Sequence, residues 1–188
     1  MLNWENVFTE ALSYTEFLER HGTEAHRQRW AGVDARVTLT PEQRTLLGGF
    51  VRRMPVLCLA GAWCGDCVQQ VPILRHIAEA SGGTVQLRLL DREASPELRD
   101  AFPTNGGQRV PVVFFLSEDW QLCGTYGDRV LAYYRQMAAD RLGPACPTGI
   151  VPPGPALLAE ATAQWVAEFE RFQLMLRLTG RLREQHGD

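Results

Sequence analysis

Cys64 and Cys67 stand two residues apart in "LAGAWCGDCVQQVP", residues 59–72, where an apolar run gives way to a helix-like pattern. A cysteine at a helix N-terminus meets unpaired backbone N–H groups and the positive end of the helix dipole, and both favour thiolate over thiol. The first sulfur of such a pair attacks a substrate disulfide, and the second displaces the resulting mixed disulfide. Two intervening residues give the spacing that a tolerable ring requires. Two blander readings compete: a pair of packed thiols, or half of a zinc site. A tetrahedral zinc site needs four ligands, and the chain has no second Cys-x-x-Cys and no His pair at finger spacing.

The other cysteines are Cys58, Cys123 and Cys146, making five in all. An odd number with one close pair argues against a disulfide scaffold and for a local role of that pair. Cys123 falls on an expected hairpin strand and reads as core. Cys146 falls in a Pro/Gly-rich connection, where exposure is possible. His76 follows Cys67 on the same expected helix but lies ~13 Å further along its axis at 1.5 Å per residue, too far to serve as its base.

The elements that must position the pair are legible as periodicities. "PVLCLAG", residues 55–61, is nearly all apolar, as a strand covered on both faces should be. Residues 65–80 carry Val68, Val71, Leu74 and Ile77 at helical spacing, and "TVQLRLLD", 84–91, alternates. Together they read as a βαβ unit. Upstream, 3–21 predicts one helix, 23–31 a second, "ARVTLT" at 35–40 an edge strand, and Thr40-Pro41 a helix start with Gln43 completing a capping box. Downstream, Ser95 and Pro96 begin a short helix. Residues 110–117 and 120–127 form an antiparallel hairpin, and Asp128 caps a helix to about Arg141. A last helix runs from about Ala156 into the 180s, with Trp165, Phe169 and Phe172 on its apolar face. Its stripe is too long for the central domain alone to cover. Packing on the N-terminal helices is expected, with a homodimer through the terminal helices as the other possibility.

The chain has 188 residues, 45% hydrophobic, enough for a real core. Its formal charge of −3 gives no basic footprint for nucleic acid. It contains no lysine, so apart from His every basic side chain is Arg. No signal-peptide pattern opens the sequence, and no stretch approaches the ~18 apolar residues of a membrane span. A cytoplasmic protein with reduced thiols is expected.

"WCGDC", Pro72 five residues after the second cysteine, and Val110-Pro111 opening a hairpin resemble the thioredoxin superfamily over about residues 35–141. With "LRLLDRE" and "TNGG…VP" the likeness narrows to bacterial thioredoxin-family proteins with helical N-terminal extensions. The resemblance implies an α/β fold with a central mixed sheet flanked by helices, bearing added helices at both ends. The expected divisions are an extension at 1–34, the thioredoxin-like domain at 35–142, and a connection with a long helix at 143–188. It implies Cys64 as nucleophile and Cys67 as resolving thiol. Trp63 would shield the pair and offer substrate a flat apolar surface, Pro72 would kink the active-site helix, and Pro111 would be cis, presenting Val110 backbone groups to an extended substrate.

Departures from the family pattern fall at Asp66, Cys58 and Val68. Within the Gly65-Asp66 dipeptide, Asp66 stands where thioredoxins carry Pro, and its carboxylate should disfavour the Cys64 thiolate. A reducing pair rather than a strong oxidant is therefore expected. Cys58 stands where thioredoxins bury an Asp, and it reads either as a small buried hydrophobe or as a third sulfur beneath the pair. Val68 replaces an expected lysine. Arg109, just before Val110-Pro111, faces either the site or solvent. The leading reading is a thiol–disulfide oxidoreductase acting on protein or small-molecule disulfides, without metal or organic cofactor, and re-reduced by an upstream reductase or small thiol. The alternative is a thioredoxin-fold binding module with weak or no turnover. A thiol peroxidase is a third idea, but no Thr or Ser and Arg pattern surrounds the cysteine.

Overall fold

The computed structural model describes residues 2–142 and 156–188. The N-terminal segment is two helices, α1 (Trp4–Glu10) and α2 (Tyr14–His21), where one was expected. The break has two causes. Ser13 opens a new capping box with Glu16. Leu12 leaves the helix to pair with Leu89, donating and accepting one backbone hydrogen bond (2.9 and 2.7 Å). Helix α3 (Glu24–Asp34) follows, capped by Thr23, and then α4 (Pro41–Gly48), capped by Thr40 and Gln43 as its sequence predicts.

Residues 35–40 are not a strand. Val37 and Leu39 are buried, so the alternation is real, but it belongs to an irregular segment lying on the core. The sheet comprises β1 (Met54–Ala60), β2 (Val85–Asp91), β3 (Val112–Leu116) and β4 (Leu122–Gly127), in the order β2-β1-β3-β4. β1 and β2 are parallel and the other pairs antiparallel, so the sheet is mixed. β1 is buried along its whole length, which explains its unbroken apolar run. Helix α5 (Gly65–Ala80) connects β1 to β2, and α6 (Pro96–Ala101) precedes β3. Ser95 occupies the α6 cap position, but its hydroxyl makes no capping hydrogen bond. The β3–β4 hairpin closes through Ser117, whose N–H donates to the Gln121 carbonyl, with Trp120 at positive φ.

Helix α7 (Leu131–Leu142) starts two residues later than a cap at Asp128 would place it, and the Asp128 carboxylate is engaged by Arg129 instead. The last helix is also two: α8 (Leu157–Leu178) and α9 (Gly180–His186), separated at Thr179. Rather than resting on the N-terminal helices, α8 packs chiefly on α7, α5 and α4. Successive strand residues point to opposite faces, and β3 shows what each end of the chain covers. Phe114 meets Trp4 and Phe102, whereas Phe115 meets Phe169 and stacks on Phe172 at 4.0 Å. The aromatic stripe of α8 is thus the cover of one sheet face. Each of its buried aromatics contributes about 1.5–3 kcal/mol by burial. Gln173, also buried, satisfies the chain entering β1 by accepting from Arg52 N (2.7 Å) and donating to Arg52 O (3.0 Å).

Candidate functional site

The site forms where β1 ends and α5 begins. Cys64 occupies the N-cap of α5 in extended conformation, and Cys67 lies inside the first turn. This placement follows from local sequence: β1 is apolar to Ala60, and Gly61 breaks it. A Cβ at Gly61 would lie 2.7 Å from the Trp63 indole, so any larger residue there would push that ring from its position. Trp63 remains 45% exposed beside the cysteines, and the Arg92 guanidinium lies 4.6 Å from its ring centroid. Arg92 also donates to the Gln108 carbonyl (3.0 Å), tying the tryptophan's cover to the loop before β3.

The two thiols have opposite environments. Cys64 is 8% exposed and Cys67 fully buried behind it. The Cys67 thiol donates to the Cys64 sulfur, and this pulls the Cys64 pKa down to about 7 against its burial; the N–H groups of Cys67 and Asp66 add to the effect and the Asp66 charge opposes it. Burial pushes the Cys67 thiol well up, and its hydrogen bond to Cys64 and the Cys64 charge push it further. Cys58, on β1, is also raised by burial, and its charge and those of the pair would oppose one another. Cys58 is fully buried on β1, and that burial keeps its thiol protonated.

Pro111 faces the cysteines through its neighbour: the Val110–Pro111 bond is cis, and the Val110 carbonyl is 3.5 Å from Cys64 Sγ. Both residues are buried. Gly127 of the adjacent strand backs this turn, since a Cβ there would meet the Pro111 carbonyl at 2.6 Å. Pro72 is buried in the middle of α5, where it removes one backbone donor. His76 points away from the site, 3.4 Å from Asp34. Cys123 is half-buried on β4, and Cys146 lies outside the described residues.

Asp66 is not a bare charge beside Cys64. Arg129 grips it with a two-pronged contact, Nε to Oδ1 at 2.7 Å and Nη2 to Oδ2 at 2.5 Å. The remaining prong of Arg129 reaches Asp128 Oδ2 at 2.8 Å. Asp128 is buried and also accepts from Arg109 (3.2 Å) and from the Tyr134 hydroxyl. Burial works against the Asp128 charge, but these donors win and hold its pKa below the usual carboxylate range. Arg109 is thus half-exposed with its guanidinium on Asp128 rather than free in solvent. Gln70 anchors this loop to α5: it donates to the Asp128 carbonyl (2.9 Å) and accepts from Val130 N (3.1 Å) and Trp165 Nε1 (3.3 Å). On the other flank, Trp30 Nε1 donates to the Ala62 carbonyl (2.9 Å), two residues before Cys64.

Arg129, Asp128, Gln70, Tyr134 and Trp30 are absent from the sequence reading of the site. Their partners stand far away in the chain, and the sequence marks Asp128 only as a helix cap and Trp30 only as a packing residue. Among the described residues no group of three or more His, Cys, Asp and Glu is arranged to hold a metal ion. No described helix is long and apolar enough to cross a membrane.

A family model described as thioredoxin matches residues 11–139. A Pseudomonas aeruginosa protein of unknown function has a similar crystal structure: TM-score 0.69, 19% identity, 91% of this chain and 99% of that one covered. An HIV epitope scaffold is similar at TM-score 0.59 and 18% identity, over 90% of this chain and 92% of that one. A search of curated proteins returned no match.

Proposed function

Since this chain belongs to the thioredoxin family, we propose that it is a thiol–disulfide oxidoreductase that reduces disulfides through Cys64 and Cys67. The observation that carries this reading is the asymmetry of the pair. One sulfur sits at a helix start with its pKa drawn to about 7, and its neighbour is buried, protonated and in hydrogen-bond contact with it. Near neutral pH about half of Cys64 is thiolate, the form that attacks disulfides.

The Cys64 thiolate attacks one sulfur of the substrate. A mixed disulfide forms, the substrate S–S bond breaks, and the departing thiolate takes a proton from solvent. Cys64 has then lost its charge, and with it one of the forces that kept Cys67 protonated. Cys67 gives up its proton to the second departing sulfur and bonds to Cys64. Two electrons pass from the dithiol to the substrate, which leaves as two thiols. Trp63 offers the apolar face against which substrate lies, and the backbone of Val110 beside Pro111 offers strand-like hydrogen bonds. A dithiol reductase or a small thiol restores the pair.

Reduction of a model disulfide by the wild type, Cys64→Ser and Cys67→Ser tests this. Turnover should vanish with either substitution, and Cys67→Ser should accumulate a mixed disulfide visible by mass. A wild type inert with every reductant would replace this reading with that of a binding module.

A further inference from the structure

A cavity of about 550 Å³ opens against the first turns of α5, lined by Gly65, Val68 and Gln69. Helix α3 and the turn ending it contribute Arg29, Val33 and Arg36 to its lining, and Tyr133, Leu157 and Leu158 complete it. The size is that of a small-molecule site. Gly65 adjoins Cys64, and the Trp30 bond to the Ala62 carbonyl holds α3 beside the same loop. The cavity and the nucleophile are therefore neighbours.

The charge of this cavity is one-sided. Arg29, Val33 and Arg36 follow one another at intervals of four and three, so they share a face of α3. Each arginine spends its Nε on the carbonyl four residues back, Ala25 (3.4 Å) and Gly32 (3.0 Å). Among the described residues neither has a carboxylate in ion-pair range, and residues 143–155 contain no Asp or Glu. No residue lining the cavity is acidic, although the chain as a whole carries −3. Asp66, which follows the lining residue Gly65 in sequence, is already held by Arg129. Val68, Val33 and the two leucines supply an apolar floor between the cations.

We propose that this cavity binds the carboxylate arm of a small anionic disulfide, with Arg29 and Arg36 taking the charge while the S–S bond reaches Cys64. The inference rests on the redox reading above and deepens it by naming the substrate class. The chemistry at sulfur is unchanged: the dithiol is oxidised, the disulfide is reduced to two thiols, and the arginines only hold the charged arm.

A matched series separates charge from reactivity. Dithiodipropionate, hydroxyethyl disulfide and cystamine carry negative, neutral and positive arms on closely similar skeletons. In single-turnover oxidation of the pre-reduced protein, followed by acid quench, alkylation and mass, the dianion should react about tenfold faster than the neutral compound at low salt, with cystamine slowest. The Arg29→Gln/Arg36→Gln variant should lose that preference while keeping the neutral rate, and salt should erode it in the wild type. Equal rates across the series, or a preference that survives the double substitution, would overturn the proposal. Suberate, in which two methylenes replace the two sulfurs, tests the cavity without any redox step. Saturable binding by calorimetry, lost in the double variant, supports the site even if no disulfide is turned over; absence of binding to the wild type sinks it. Loss of turnover with suberate binding intact would instead count against the redox reading alone.

Discussion

Trp30 and Trp165 do related work from opposite ends of the chain. Both are fully buried, and both aim an indole N–H at the segment that carries the cysteines. Trp30 acts directly, holding the Ala62 carbonyl just before Cys64. Trp165 acts through Gln70, whose amide spans to the backbone of Asp128 and Val130. The N-terminal helices thus position the loop entering the site, and the C-terminal helix steadies the loop whose charges face Asp66. One end sets where Cys64 stands. The other end, at one remove, sets the field around it.

Removing each indole should break the arrangement it holds. Trp30→Ala and Trp165→Ala are each expected to cost about 3–5 kcal/mol of stability in urea titrations, as buried Trp truncations do. A much smaller loss for one of them would show that its helix is dispensable to the core. Gln70→Leu sharpens the contrast, because it leaves the buried Asp128 carbonyl and Val130 N–H unpaired. A cost of about 2 kcal/mol is expected, while packing at Trp30 is untouched.

The field around Cys64 can be changed with smaller structural consequence. Arg129→Gln uncovers the Asp66 carboxylate. Negative charge opposes thiolate, so the Cys64 pKa should rise by about one unit, and reactivity at pH 7 should fall several-fold. Asp66→Asn should shift it the other way. Thiolate absorbance against pH reads both, and the wild-type profile should rise through about 7, with alkylation about tenfold faster at pH 8 than at pH 6. A pKa unmoved by Arg129→Gln would mean that Asp66 and Cys64 are screened from each other. Trp30→Phe is the mildest change. It keeps most of the packing and removes one hydrogen bond, for about 1 kcal/mol. Amide exchange should then quicken at residues 61–64 without a change in the Cys64 pKa, whereas Gln70→Leu, by loosening the loop that carries Arg129, should raise that pKa.

Much of the site was legible because its parts are local. Cys64, Gly65, Asp66 and Cys67 lie within one turn, and Trp63 precedes them. The capping pattern at Thr40, the apolar run of β1 and the 3.6-residue spacing of α5 also report on neighbours in sequence. The expectation for 35–40 failed because alternation records burial on one side, and an irregular segment lying on a core alternates as a strand does. The single helix at 3–21 failed because a capping signal at Ser13 outweighed a continuous apolar stripe. The expectation for Asp66 left out its partner, Arg129, because that residue stands on another loop.

The order of residues alone determined that a thiol pair begins a helix after a buried strand, and that a Val-Pro step leads into a hairpin. Backbone hydrogen bonding and side-chain periodicity act over a few residues, so their signatures survive in one dimension. Only the folded chain decided which charge meets which. Arg129 comes to Asp66, Trp30 to Ala62 and the α3 arginines to the flank of α5 because packing of the sheet and helices closes those distances. Coulomb attraction and burial depend on separation in space, which no local pattern encodes.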